Sequence, residues 1–364
     1  MSKLQIYKYV NDAFPLPDME ALLRRVSACS YVTLLDCSSG YNQIKMKEED
    51  IYKTGFICHR GFFENVFMPF GLKCSGNTFV RTIDTILRDH ADYAGPFVDD
   101  IAVHSLKFSE HLIHLENTLG AFEKVGMTLK LSKCRFAQPK VDFLGHHVGS
   151  GTLSVIEDKV AAISRLPEPT SKKAVRSFLG MCNFYRTYIP NYSELALPLT
   201  DLTKAKGYNK FTLNDEQRAS FETLKKALSN PETLASPQYD KPFHIFVDAS
   251  LLACGAVLSQ LDDQNHHRPI AFASKKFNPA QTRYSVIERE SFAVIFALQK
   301  FDLIIFGSKI ILHTDHNPLQ YIATGSVTSA KLTRWALHLQ RYDLEITYIA
   351  GRDNVVSDHL SRAV

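Results

Sequence analysis

Residues 31–36 read YVTLLD, an apolar run ending on an acid, and predict a buried strand that carries Asp36 to the end of a sheet. Residues 97–103, FVDDIAV, predict a hairpin with Asp99 and Asp100 at its turn. Arg60-Gly61 lies between two further apolar runs, 56–59 and 62–67, and predicts a second hairpin. Helices are expected over 75–90, with Ser75 as a cap, and over 110–125. In the latter, Leu112, Leu115, Leu119 and Phe122 follow the 3.6-residue period and Gly126 ends the helix.

Residues 151–240 are helical in pattern and punctuated by Pro167, Pro169, Pro190, Pro198, Pro231 and Pro237. Within them, 171–188 carries Lys172, Lys173, Arg176 and Arg186 and no acid, interleaved with Phe178, Phe184, Tyr185 and Tyr188. Cations for phosphates and rings for sugars or bases suit a nucleic-acid surface, and an amphipathic helix with a solvated basic face reads the same way. Residues 241–364 have a different order. Strand patterns at 243–247, 253–260 and 269–274 precede a long helix at 285–301 and a strand at 309–314. Helices near 316–323 and 328–341, a strand at 344–349 and a short helix after Asn354 follow. That order predicts a mixed sheet covered by helices.

Composition narrows the class without naming it. In 364 residues, 42 Lys+Arg against 38 Asp+Glu give +4, which excludes a basic tail protein and an acidic disordered chain. No run of about 18 apolar residues predicts a membrane span, and no apolar segment near Met1 reads as a secretory signal. Seven scattered cysteines with no CxxC argue for reduced thiols and against a disulfide frame or zinc site. An intracellular location is therefore expected.

Acids carry the candidate chemistry. Asp248 and Asp315 end strands, Glu290 sits in an apolar stretch of the long helix, and Asp358 lies near the last helix. Four clustered carboxylates would repel strongly, and two Mg²⁺ ions would relieve that repulsion and drive phosphodiester hydrolysis. Asp36, Asp99 and Asp100 form a second set suited to the same chemistry run toward synthesis. Any one of these acids alone is equally well a turn or cap residue.

Together these stretches resemble the reverse transcriptase–RNase H region of gypsy-type LTR retrotransposon and retroviral Pol polyproteins. LDCSSGYNQI (35–44), FMPFGLKCSGNTF (67–79) and FVDDIAVHS (97–105, with Phe97 where the family has Tyr) resemble its palm motifs. VDFLGHHV (141–148) resembles the primer grip and VRSFLGMCNFYR (175–186) the connection. FVDAS (246–250), YSVIERE (284–290), HTDH (313–316) and NVVSDHLSR (354–362) resemble the four RNase H motifs.

The resemblance implies an α+β and α/β multidomain chain: palm and start of thumb over 1–150, a helical thumb and connection over 151–240, and an RNase H-like domain over 241–364. It implies that Asp36, Asp99 and Asp100 hold two Mg²⁺ (or Mn²⁺) for polymerisation, and that Asp248, Glu290, Asp315 and Asp358 hold two for RNA cleavage. Glu290 is preferred over Glu288 because the family's acid directly precedes a segment like Ser291-Phe292-Ala293. Tyr41 would exclude a ribose 2′-OH, and Phe70 and Gly71 would line the nucleotide. Residues 62–67 would be palm core. Phe143, Leu144, Gly145 and His146 would grip the primer terminus, with Lys172, Lys173, Arg176 and Arg186 on the nucleic acid.

The partners implied are an RNA/DNA hybrid, primer-template and dNTPs, with no membrane. The implied location is cytoplasmic, in a virus-like particle, or nuclear. Protease and integrase are not in the chain. Residues 11–17 resemble the segment that follows the family's fingers region, so the fingers are expected to be largely missing. Two alternatives follow from that: an RNase H nuclease only, or a non-catalytic nucleic-acid-binding remnant.

Overall fold

The computed structural model describes residues 14–15, 17–204, 211–314 and 330–349. The chain divides into two compact units, 1–153 and 154–364.

The first unit is built on a four-stranded sheet, β1 (Tyr31–Asp36), β4 (Ala94–Phe97), β5 (Asp100–Ser105) and β6 (Arg135–Gln138), in the order β4-β5-β1-β6. Its two central strands bury both faces, so they read as continuous apolar runs rather than alternating ones. Leu35, Ile101 and Val103 face α2 (Ser75–Leu87) and α3 (Phe108–Lys124), packing with Phe79, Ile83 and Phe122. Val32 and Ala102 pack instead with Leu22, Leu23 and Val26 of α1 (Met19–Ser27) and with Phe143 and Val148. Asp18 starts α1, its carboxylate accepting from the Glu20 and Ala21 amides at 2.8 and 3.1 Å. Strands β7 (Val141–Phe143) and β8 (His146–Gly149) form a hairpin, and β9 (Thr152–Val155) follows.

Three expectations change here. Ser75 is the first residue of α2 rather than its cap, and its hydroxyl donates back to the Leu72 carbonyl at 3.0 Å. On α3 the buried stripe is His111, Thr118 and Phe122, while Leu112 and Leu119 are exposed. The sheet presents polar groups to this helix. His111 bridges Thr33 Oγ1 at 2.7 Å and Ser105 Oγ at 2.9 Å, so polar complementarity overrides the leucine period. Finally, the 62–67 run is not core. Phe62, Phe63, Val66 and Phe67 are exposed, because β2 (Phe56–Cys58) and β3 (Gly61–Phe63) form a two-stranded sheet that, among the described residues, has no second layer.

The second unit opens with helices α4 (Glu157–Ser164), α5 (Lys172–Phe184), α6 (Tyr192–Leu195), α7 (Leu197–Lys204) and α8 (Asp215–Ser229). Ser171 caps α5 through the Ala174 amide, and an Asn214–Gln217 capping box starts α8. Phe178 is buried against Phe221 at 4.7 Å between ring centres. Tyr185 and Tyr188 are also buried, so of the four rings interleaved with the basic residues only Phe184 is exposed.

After a two-residue strand β10 (Leu234–Ala235) comes a five-stranded sheet. It comprises β11 (Phe243–Ala249), β12 (Ala253–Leu261), β13 (His267–Lys276), β14 (Lys309–Thr314) and β15 (Asp343–Tyr348), in the order β13-β12-β11-β14-β15. The β11–β14 and β14–β15 pairs are parallel and the others antiparallel. Helices α9 (Val286–Ile305) and α10 (Ala330–Leu339) make the two crossovers such parallel pairs require. Helix α9 runs one turn past the expected end because Ile304 and Ile305 continue its buried stripe. With Val294, Ile295, Leu298 and Phe301 they join Phe243, Ile245 and Val247 in one core, each such side chain contributing ~2 kcal/mol. Within this unit Gly255 lies so close to Asn191 that an added Cβ would stand 2.2 Å from Oδ1, so a larger residue there would displace the Asn191 side chain. The helices expected near 316–323 and after Asn354 lie outside the described residues.

Candidate active sites

Asp36 and Asp100 are paired directly across β1 and β5. Directly opposed like charges are what an antiparallel sheet avoids. Phe97 pairs with Asp100, which leaves Val98 and Asp99 as a two-residue turn. Val98 has φ 53°, a conformation that primed turns give to glycine and that a β-branched side chain resists. Such backbone strain costs ~1–3 kcal/mol and persists only where surrounding structure enforces it.

The electrostatics follow from this crowding. Burial, then Asp36, pushes the Asp99 carboxyl above its ordinary range, while the Tyr41 hydroxyl and Lys133 pull it back. Burial, then Asp36 and Asp99, pushes Asp100 up as well. Burial followed by the Asp36 and Asp99 charges raises the adjacent Cys37 thiol to about 12, so it stays a neutral thiol. Lys133 Nζ lies 3.1 Å from Asp36 Oδ2. No signal in the sequence singles out this lysine, which is 97 residues from its partner.

Tyr41 is half-buried beside Asp99, stacked on Phe79 with ring centres 5.0 Å apart. An added Cβ on Gly40 would stand 2.6 Å from the Phe79 ring, so the glycine before Tyr41 is what admits that stack. Phe70 tilts against Tyr41 at 5.0 Å and is 65% exposed, leaving its ring open to a ligand. Gly71 has φ +89° with open space around it. The structure thus brings Asp36, Asp99, Asp100, Tyr41 and Phe70 together, with Gly71 beside Phe70.

The 141–148 hairpin turns on Leu144 and Gly145, both with positive φ, between the paired Phe143 and His146. Phe143 and His146 are buried, and burial lowers the His146 imidazole to about 4. Only the turn residues lie at the tip. Of the basic set, Lys173 and Arg176 are exposed, and Arg176 also donates to the Thr203 carbonyl at 3.2 Å. Lys172 is half-buried. The half-buried Arg186 donates to the Ser274 carbonyl at 2.8 Å and lies over the Tyr192 ring, so it ties the helices to β13.

In the second unit Asp248 is exposed near the carboxyl end of β11, the end where parallel strands present ligand sites. Glu290 is 6% exposed on α9, and its charge adds to burial, the larger cause, in raising the Cys254 thiol of β12 to about 12. Cys254 pairs with Ala249, the residue after Asp248, so both acids lie at one end of the sheet. Arg289 fixes the helix there by donating to the Ser250 carbonyl at 3.2 Å. Glu288 is committed elsewhere. It closes a capping box with Ser285 and pairs with Lys331 at 2.7 Å. Asp315 and Asp358 lie outside the described residues.

A strand-borne acid triad in one unit, and two acids at the end of a mixed sheet in the other, fall within two stretches that match families of known proteins. Residues 2–148 match reverse transcriptase (RNA-dependent DNA polymerase), and residues 238–342 match the RNase H-like domain found in reverse transcriptase.

The chain is similar to retrovirus-related Pol polyproteins of Drosophila melanogaster. It is 39% identical to that of transposon opus over 97% of this chain and 36% of the relative. It is 33% identical to that of transposon gypsy over 98% of this chain and 35% of the relative. It therefore spans about a third of the length of the curated relatives it matches. The fold matches the foamy viral protease-reverse transcriptase dRH in complex with double-stranded DNA, with a TM-score of 0.81 and 20% identity. That match covers 93% of this chain and 60% of the other. For the foamy viral protease-reverse transcriptase in complex with an RNA/DNA hybrid, the TM-score is 0.75 at 21% identity, covering 94% and 47%.

Domains of both kinds are generally dependent on divalent metal ions. The triad's donor chemistry suits them: three hard carboxylate oxygen donors, two of them raised in pKa by burial and then by the Asp36 charge. Among the described residues no three acid, imidazole or thiol side chains converge on one ion-sized point. Lys133 supplies the positive charge that all three acids face.

Proposed function

We propose that this chain is an RNA-directed DNA polymerase with ribonuclease H activity, acting on RNA/DNA primer-templates with dNTPs. The observation that carries the reading is the Asp36–Asp100 cross-strand pair with Asp99 on a strained turn beside it. A fold without a use for three crowded acids would not retain that arrangement.

In this reading Asp36, Asp99 and Asp100 hold two Mg²⁺ (or Mn²⁺). Bound there, the ions would supply charge neutralisation and a more acidic primer hydroxyl. Tyr41, fixed on Phe79 beside Asp99, is the residue that would exclude a ribose 2′-OH and so favour dNTPs. Phe70 offers an apolar face to the nucleotide. The Leu144-Gly145 turn supports the primer end through its backbone, with Phe143 and His146 anchoring it from the core. Lys173 and Arg176 are the basic-helix residues placed to meet phosphates. In the second unit Asp248 and Glu290, with Asp315 and Asp358, form the nuclease acid set.

Incorporation of labelled dTTP on poly(rA)/oligo(dT) with Mg²⁺ tests the polymerase half. Template-dependent incorporation is expected, and its absence at saturating protein would reject that half.

The strained turn gives a finer test. Val98→Gly relieves ~1–3 kcal/mol of strain and adds about 0.5–1 kcal/mol of chain entropy, so stability should hold or rise by up to about 2 kcal/mol. Freed from a fixed turn, Asp99 and Asp100 lose their aim, and incorporation should fall roughly tenfold. Denaturant melts and primer extension on the same preparation check both halves. Unchanged incorporation would show that the turn's strain has no functional role.

A further inference from the structure

Lys133 is held on the acid triad by the fold. The segment that carries it is fixed to the end of β1 at several points. Leu129 bridges Cys37, the Ser38 amide donates to the Thr128 carbonyl at 3.0 Å, and the Lys130 amide donates to the Asp36 carbonyl at 2.8 Å. The Gln43 side chain clamps the same segment, accepting from the Thr128 amide at 2.7 Å and donating to its carbonyl at 3.0 Å. The turn Leu131–Lys133 then closes on itself through the Lys133 amide and the Lys130 carbonyl, with Cys134 buried behind it. The result is Nζ at 3.1 Å from Asp36 Oδ2, with the same charge also pulling on Asp99 and Asp100. Its side chain remains 57% exposed, so the ammonium can swing into water without moving the turn.

We propose that Lys133 is a tethered counter-cation of the triad, a positioning residue that balances the acids when no divalent ion is bound and yields Asp36 when one arrives. This rests on the reading of Asp36 as an ion ligand. Three carboxylates and one ammonium leave a net charge of about −2 where bare acids would leave −3, so every arriving ion must displace a charge the fold has already supplied. Lys133 thereby sets the ion concentration at which the site fills, and it spares the empty site part of its own repulsion.

The test is Mn²⁺ binding to the full chain, read by electron paramagnetic resonance of free Mn²⁺, with Asp248→Asn as background to weaken the nuclease site. Lys133→Met should raise Mn²⁺ affinity at the triad roughly fivefold, scaled to an exposed ion pair, and lower the ion-free Tm. Lys133→Arg should restore both values toward wild type. Unchanged or weaker Mn²⁺ binding in Lys133→Met, with Asp36→Asn still abolishing it, would overturn the role of Lys133 alone. Binding that survives Asp36→Asn would overturn the ion-ligand reading and the proposal together.

Discussion

Asp100→Asn is expected to reduce nucleotide incorporation by roughly 10³-fold, about 4 kcal/mol in the barrier, while leaving RNA cleavage intact. The change is isosteric and keeps the β1–β5 register. What it removes is one of three crowded charges. The same substitution should therefore raise the ion-free Tm, because Asp100 stands directly opposite Asp36. A variant that loses activity while gaining stability cannot be dismissed as misfolded.

The pH dependence has a definite sign. Asp99 and Asp100 have folded pKa values raised above their unfolded ones, chiefly by burial and then by Asp36. Their contribution to stability is present at low pH and is lost as pH rises through the raised values. In chelator, the acids' share, read as the difference between wild type and Asp100→Asn, should favour the fold as pH falls from neutrality toward the ordinary carboxylate range, against the opposite effect of the buried His104, His111 and His146, whose pKa values burial lowers. Excess Mg²⁺ should flatten that slope. Calorimetry from pH 7.5 to 5 with and without chelator, on wild type and Asp100→Asn, reads both effects.

Glu290→Gln should reduce RNA cleavage by a similar factor and spare primer extension, whereas Glu288→Gln should spare both activities. The two acids are a turn-half apart on α9 but do different work. Glu290 is buried near Cys254 at the end of the sheet that carries Asp248. Glu288 is taken up by Ser285 and Lys331. Glutamine also closes a capping box, so Glu288→Gln gives up mainly the partly exposed pair with Lys331, worth about 1 kcal/mol or less. Loss of cleavage in Glu288→Gln with retention in Glu290→Gln would reverse the assignment.

The positions of Asp36 and Asp248 were legible in the sequence because each closes an apolar run, and a strand pattern carries its last residues to the end of the strand. The order of elements likewise gave the mixed sheet and the long helix. Three features were not legible, for physical reasons. The α3 period held at Leu115 and Phe122 but not at Leu112 and Leu119, because His111 satisfies buried polar groups from Thr33 and Ser105, which only the folded sheet brings to it. The rings at Phe178, Tyr185 and Tyr188 looked like stacking platforms beside basic residues, yet they are core. Local sequence cannot tell a ring that faces a partner helix from one that faces solvent. Lys133 reaches Asp36 only through the docking of the Thr128–Lys130 backbone on β1, a contact with no pattern of its own.

One assay bears most directly on the central claim of two acid-dependent activities in a single chain. It uses an RNA/DNA hybrid labelled differently on the DNA primer and the RNA strand, incubated with the full chain, Mg²⁺ and dNTPs. Wild type should extend the DNA and cut the RNA, Asp100→Asn should only cut, and Glu290→Gln should only extend. Loss of both activities in either variant, or of neither in both, would contradict the account.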